Sequence, residues 1–545
     1  MPLDDSSADV RARPPGTGAA RWSDDNPAAS TATTTAADLA RASDRPARLW
    51  DPATGLIAGS VVAAYTVISI FRYLRRDPTS WDLGIFTEYV KQYAHLQAPI
   101  VDIKAPGFDL LGDHFHPIVA LIAPFFRLFP TSVTLLVAQA LLVGVSVLPV
   151  SQLGRELLGN GAGRSIAAAY GLSWGLQQMA NYDFHEIAFA VPLLAFSLSA
   201  VVRGRTRAAV LWALPLVFVK EDQGFTVLAI GLILAFAYRH QAAGLLLEGW
   251  GLLWSLLAIT VIIPLFNPQD SYHYWTEAGA FSPVRGNFSV GALWSTLSDG
   301  AATKLPTLAL ILLPTAFIAL RSPVVLAALP SLALRAINTN PSYWGTAWHY
   351  NATVMPIIFI AAIDGMARIR ARRLGEASQS ARPAGWVTAG PAGPARPRSR
   401  LIAGLGTAAE RYGAAAMVAI CAALAFQFPL SSLWTPATYT LGPHVAAENK
   451  AMALVPDRAS VSTDLDLLAP LASRTDAYWL GNASTDPATR YIVFDTQSTD
   501  CTAWEAVCAS ARPGTVLPFV ESLAHGARYR QIYDSNGVFV FRRTT

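Results

Sequence analysis

Residues 115–129 read Phe-His-Pro-Ile-Val-Ala-Leu-Ile-Ala-Pro-Phe-Phe-Arg-Leu-Phe, and whether they cross a membrane decides the placement of everything that follows. The run is apolar enough to enter a bilayer. It also holds Pro117, Pro124 and Arg127 and ends at Pro130. A span needs about 20 mainly apolar residues, so this shorter, interrupted run is read as a re-entrant or interfacial segment.

The setting for that choice is a polytopic membrane protein. Hydrophobic residues make up 52% of the 545-residue chain and charged residues 14%, where a soluble protein carries roughly 25% charged. Eleven apolar stretches have span-like length: 54–72, 131–150, 164–181, 187–202, 207–220, 223–238, 242–265, 304–321, 323–337, 351–368 and 411–432. The arginines are spread through loops without interleaved aromatics, which argues against nucleic acid as a partner. Three cysteines exclude a disulfide scaffold. Cys501 and Cys508 lie in a polar tail and can pair if that tail is extracytoplasmic. Residues 1–50 are rich in Ala, Ser, Thr, Asp and Arg up to residue 47 and show no cleavable signal peptide, so a disordered cytoplasmic arm is expected.

Charge sets the orientation, because Lys and Arg collect in short cytoplasmic loops. With the arm inside and 115–129 not crossing, the inside loops hold Arg155, Arg164, Arg203, Arg205, Arg207, Arg239 and Arg321. A flexible basic linker at 369–408 joins them. Counting 115–129 as a span would instead put Arg155 and Arg164 outside. The sequence therefore predicts a mainly α, multi-pass plasma-membrane protein. Its core runs over 51–368, a last transmembrane helix over 409–432, and a small extracytoplasmic α/β domain over 433–545. In that domain 460–463 and 491–495 look like strands, Asp466 looks like a helix N-cap, and Asn536-Gly537 marks a hairpin turn.

The same orientation places every acid-and-histidine cluster outside. These are Trp81-Asp82, Asp113-His114-Phe115-His116, Asp183-Phe184-His185-Glu186, Lys220-Glu221-Asp222 and Trp348-His349-Tyr350. Ionisable groups near membrane depth are costly and mark functional sites. Asp82, Asp183 and Glu186 are the catalytic candidates, with Asp82 suited to general-base work; the plainer role for Asp82 is helix capping. Asp113, His114, His116, His185, Lys220, Glu221, Asp222, Trp348, His349 and Tyr350 are the candidates for binding substrate. Lys220 offers a compact charge for a phosphate, and the aromatics suit a sugar ring or lipid chain, or simply anchor the interface. Asp183, His185 and Glu186 offer a ligand set for a divalent cation such as Mg or Mn. They do not form the His-Glu-x-x-His zinc signature, and no nucleotide-binding loop is present.

On the motifs Asp82-Leu-Gly-Ile-Phe86, Gly112-Asp-His-Phe-His-Pro117, Asp183-Phe-His-Glu-Ile-Ala-Phe189, Lys220-Glu-Asp222 and His349-Tyr350, the chain resembles the bacterial predicted membrane proteins of domain-of-unknown-function family 2079. The resemblance covers about residues 60–365 and implies no reaction by itself. More distantly, the layout resembles the type-C glycosyltransferases, which take a sugar from a polyprenyl-phosphate donor at the outer membrane face. That resemblance implies Asp82 as the first-loop acid and Asp183 as the second-loop acid. His116-Pro117 is similar to those enzymes' His-Pro-Pro segment, with Ile118 in place of the second proline. It further implies a polyprenyl-phosphate-linked sugar, an extracytoplasmic acceptor and membrane lipid as partners. The alternatives are a proton-coupled transporter or flippase, and a non-catalytic membrane assembly protein.

Overall fold

The computed structural model describes residues 48–78, 80–277, 289–380, 400–482, 485–510 and 512–544. The expected N-terminal arm, up to residue 47, and residues 381–399 of the expected linker lie outside the described residues. Of that linker, 369–380 continue the helix Val354–Ser380 and 400–408 begin the helix Arg400–Ala425.

The chain is mainly helical. Among the described residues five helices are long and apolar enough to cross a membrane: Pro52–Arg75, Val133–Leu158, Gln241–Phe266, His349–Leu374 and Gly406–Ala425. The other apolar segments are shorter, and several are broken where the sequence gives a local reason. The stretch 164–181 divides into Asn160–Gly171 and Trp174–Asn181, with Ser173 extended between them. A Gly-Leu-Ser sequence favours such a stop and restart. The carbonyls freed at the break are satisfied by side chains, Tyr65 Oη donating to Gly171 O at 2.7 Å and Gln177 Nε2 to Leu172 O at 2.7 Å. Backbone of this kind survives at membrane depth only when its polar groups find internal partners. The stretch 304–321 likewise ends its helix at Leu312, and Ala316 and Phe317 turn the chain with φ of 48° and 60°. The decisive run 115–129 forms a tight helix Pro117–Ile122 followed by Ala123–Leu128. Twelve helical residues reach roughly 20 Å, short of the roughly 30 Å hydrocarbon core.

The helix Pro52–Arg75 separates two charged zones. At its start Asp51 pairs with Arg155 at 3.2 Å and Arg164 at 2.9 Å. Near its end Ser69 Oγ donates to Ala180 O at 2.9 Å, which places the acid-and-histidine loop 182–186 there. Twenty-four residues rise about 36 Å, so Arg155 and Arg164 lie at the opposite end of this helix from the acid-and-histidine loop 182–186.

The C-terminal sheet has strands β1 (Ser460–Thr463), β2 (Asp476–Trp479), β3 (Tyr491–Asp495), β4 (Tyr529–Ser535) and β5 (Val538–Arg543), in the order β2-β1-β3-β5-β4. β1 runs parallel to β2 and β3, while β5 runs antiparallel to β3 and β4. Asn536 and Gly537, at φ 50° and 83°, make the β4–β5 turn. Asp464, not Asp466, sits at the N-cap of the helix Leu465–Ala472, and Asp466 falls in its first turn. Alternation sends Ile492, Phe494, Phe539 and Phe541 to a core with Val516 and Val520. Val461, Val493, Val538 and Val540 join the main core on the other face.

That second face docks through Leu465–Ala472 onto the helix Asp82–Ala94. Lys91 Nζ donates to Ala472 O at 2.9 Å and Thr475 O at 2.7 Å, and Ser132 Oγ donates to Ala469 O at 2.8 Å. A hydrogen bond from a charged donor contributes about 1.5–3 kcal/mol. Lys91→Met is therefore expected to loosen this seam, lowering the thermal midpoint by several degrees and speeding proteolytic release of the sheet domain. An unchanged cleavage rate would show that the apolar contacts alone hold the seam.

Candidate functional site

The loops at one end of the bundle converge on Glu186. This residue opens the segment Glu186–Phe189 and is 1% exposed. Its two oxygens are shared between His185 Nδ1 at 2.7 Å and Lys220 Nζ at 3.1 Å. Burying a carboxylate is strongly unfavourable unless it is paired in this way. Burial works against the Lys220 ammonium, but Glu186, Glu221 and Asp222 outweigh it and hold its pKa well above the ordinary lysine value.

The next residue, Glu221, ties in two other loops. Its carboxylate meets His114 Nδ1 at 2.7 Å and accepts from Phe115 N at 3.1 Å and Tyr272 Oη at 2.9 Å. Burial would raise Glu221, yet His114 and Lys220 bring it down to about 2. His114 stacks on Tyr274, ring centres 4.3 Å apart. Asp113 pairs with Lys104 at 2.9 Å, which overcomes its burial and lowers its pKa to about 2. His116 is buried against Phe86 and faces Tyr89 Oη at 3.2 Å.

His185 also stacks on His349, with ring centres 3.6 Å apart. His349 is 2% exposed, and neither of its ring nitrogens has a hydrogen-bond partner. Tyr182 packs against His349 at 4.3 Å and Trp348 at 5.4 Å, and its hydroxyl donates to Asp82 Oδ2. Burial and the Asp82 carboxylate push the Tyr182 phenol far above its ordinary range, so it remains the donor. Asp82 is thus not an N-cap: Trp81 occupies that position, and the Asp82 side chain turns to Tyr182.

A cavity of about 230 Å³, open to solvent, joins these loops. Lys220, Glu221, Asp222, His114, His349 and Tyr350 line it, together with Arg335, Tyr272, Tyr274 and Tyr343. Arg335 donates only to uncharged acceptors, Tyr343 O at 2.8 Å, Asn351 Oδ1 at 2.9 Å and Gly345 O at 3.4 Å. No carboxylate pairs with it among the described residues. A second, mainly apolar groove lined by Leu308, Ile311, Leu329 and Leu332 shares Arg335 and Tyr343 with the first cavity.

Asp183 faces elsewhere. It has φ of 89°, its carbonyl accepts from Gln139 Nε2, and it lines a small cavity with Ser80, Trp81 and Asp466. Asp183, His185 and Glu186 therefore do not form one ligand set, and the Lys220 ammonium stands where a cation on Glu186 would have to sit.

The family model for a predicted membrane protein (DUF2079) matches residues 77–540. The chain belongs to that family. No curated protein matches it. Among solved structures it is similar to ArnT from Cupriavidus metallidurans bound to undecaprenyl phosphate, at 14% identity over 89% of this chain and 97% of that one, TM-score 0.49. It is also similar to the oligosaccharyltransferase AglB from Archaeoglobus fulgidus in complex with an inhibitory peptide and a dolichol-phosphate, at 12% identity over 90% and 74% of the two chains, TM-score 0.34.

In this DUF2079 chain, sequence reasoning passed over Arg335, Tyr182, Tyr272, Tyr274 and Lys104. Arg335 was visible as a lone cation inside an apolar stretch. The tyrosines carried no such signal, because only the folded loops bring them to Glu221 and Asp82.

Gly112 shows how tightly the loops interlock. A Cβ there would lie 2.4 Å from Phe266 O and 2.7 Å from Asn267 N, both backbone atoms. Gly112→Val is expected to displace the loop bearing Tyr272 and Tyr274. Hydrogen exchange over 266–274 should then accelerate, while Gly59→Ala, with open space around it, should leave it unchanged. Equal exchange in both variants would rule out this coupling.

Proposed function

We propose that this membrane protein transfers a sugar from a polyprenyl-phosphate donor to an extracytoplasmic acceptor of the cell envelope, a glycan, lipid or protein. The observation that carries the reading is the cavity in which Lys220 and the carboxylate-free Arg335 sit beside an apolar groove. A lipid phosphate needs this pairing, cations for the head and an apolar wall for the chain. The likeness of Asp82, Asp183 and His116-Pro117 to type-C glycosyltransferase positions supplies the sugar.

In the reaction an acceptor hydroxyl attacks the anomeric carbon and gives its proton to Asp82. The bond from that carbon to the phosphate oxygen breaks, and the lipid phosphate leaves with its charge stabilised by Lys220 and Arg335. The leaving group is already a phosphate, so no nucleotide cofactor is required. The side bearing these loops is taken as extracytoplasmic. Arginines at the opposite end support that orientation, as does the Cys501–Cys508 disulfide, since such bonds persist in oxidising compartments.

A second reading has its own observation. The buried series His114–Glu221 and Lys220–Glu186–His185 is suited to relaying protons, as in a coupled transporter.

Reconstituted protein given a radiolabelled polyprenyl-phosphate sugar and membrane acceptors should label an acceptor. Asp82→Asn should reduce labelling about 100-fold or more at unchanged protein level. Arg335→Gln should lower kcat as well as raise KM for the lipid donor. Full labelling by Asp82→Asn would overturn the general-base role. Proton-dependent flux without any glycosylated product would favour the transporter.

A further inference from the structure

The helix Pro443–Ala453, which enters the C-terminal domain, carries His444 and Glu448 one turn apart and so on one face. That face meets Asp495 at the end of β3, beside Asp464 just after β1. His444 Nε2 lies 2.8 Å from Asp495 Oδ2 and 3.9 Å from Glu448 Oε1. One ligand-capable atom from each of the three residues lies within 4.8 Å of the others. None of these residues lines the cavity of Lys220 and Arg335.

The hydrogen bonding around the cluster is incomplete in a specific way. His444 Nδ1 lies 2.9 Å from the carbonyl oxygen of Asn536. A carbonyl only accepts, so Nδ1 carries the hydrogen, and in the neutral ring Nε2 presents a bare lone pair to the Asp495 carboxylate. Two acceptors at that distance need a proton or a cation between them. Asp495 Oδ1 is already used, accepting from Gln497 N at 2.8 Å.

The neighbouring acids carry the same deficit. Glu448 is 1% exposed and its Oε2 has no hydrogen-bond partner; Asp464 is fully buried and its Oδ1 has none. The other Asp464 oxygen holds the Asp495 backbone N–H at 2.6 Å. Among the described residues no lysine or arginine forms an ion pair with Glu448, Asp464 or Asp495. Arg76 acts on Glu448 only through its charge and is bonded to Asn449 Oδ1 at 2.7 Å. Orphaned buried carboxylate oxygens are among the costliest groups a fold can hold.

We propose that His444, Glu448 and Asp495 bind a first-row divalent cation of the Zn²⁺ or Mn²⁺ class, with Asp464 bracing Asp495 from behind. One imidazole and two carboxylates suit such ions better than Mg²⁺ or Ca²⁺, which prefer all-oxygen sets. The Nδ1–carbonyl bond is the usual outer support of a ligating histidine, fixing its tautomer and aim. The role is structural. The ion ties the entry helix to the ends of β1 and β3, so the sheet domain is fixed relative to the chain that leaves the last span.

The test uses the full-length protein in detergent, stripped with a chelator and then equilibrated with Zn²⁺ or Mn²⁺ alone. Metal analysis after desalting should find about one equivalent of one of them, and the thermal midpoint should rise with metal concentration, as binding linked to folding requires. His444→Ala and Glu448→Gln should each weaken binding at least about tenfold and abolish the metal-dependent rise. The wild-type stoichiometry stands as a test even if a variant fails to fold. Substoichiometric metal with an unchanged midpoint would overturn the site and leave an imidazolium–carboxylate pair in its place. Metal retained in full by His444→Ala would likewise overturn it, showing adventitious binding.

Discussion

A buried carboxylate must be paired, and Glu186 is paired twice, by Lys220 and by His185. Much of the end of the bundle that bears these loops follows from that constraint. Lys220 reaches Glu186 only if the short connection before Gln223–Leu232 lies against the loop 182–186, which draws four helices together at one end. With Lys220 fixed, its neighbour Glu221 gathers His114, the Phe115 backbone and Tyr272. Two consecutive residues thereby anchor three loops that are far apart in the chain. Removing one partner from such a network leaves the other charge buried and uncompensated, which is more costly than losing an exposed pair.

The apolar surroundings make this arrangement stiff. Phe86 packs on His116, Phe184 and His185, with ring centres 5.5, 5.3 and 5.7 Å away. It lies on the helix Asp82–Ala94, the same helix on which the C-terminal sheet domain rests through Leu468 and Lys91. The sheet domain therefore bears on the element that carries Asp82. Asp466 of that domain also lines the small cavity of Asp183, so the sheet domain helps to wall that cavity.

Much of this was legible in the sequence, and the rest was not for definable reasons. The membrane character, the small α/β tail and the family were readable because apolar length, strand alternation and the quoted motifs are local properties. The run 115–129 could be read as too short because prolines and length act locally too. The breaks at Ser173 and Leu312 were hidden, since a Gly-Leu-Ser or a proline inside an apolar run breaks a helix only when other side chains accept the freed backbone. Asp183 looked equivalent to Glu186 in sequence, but Asp183, with a positive φ, lines the small cavity beside Trp81, while Glu186 is buried against His185 and Lys220. Arg335 stood out as a cation inside an apolar stretch, but only the fold reveals that no carboxylate pairs with it among the described residues.

The placement of charge around the candidate site is itself an argument. A base and a cluster of cations in direct contact would neutralise each other, and neither would serve a transfer. Here Lys220 is matched to Glu186, while Asp82 is held by the Tyr182 phenol, a donor that orients a carboxylate without cancelling its charge. The rings of His185 and His349 stack, and Tyr182 packs against His349. The His349 nitrogens remain unpartnered at the cavity wall. A polar ring buried with both nitrogens idle is costly in a resting structure. Stacking on His185 and packing against Tyr182 hold the ring in place instead, so contact rather than hydrogen bonding fixes it beside Lys220 and Arg335 at the cavity.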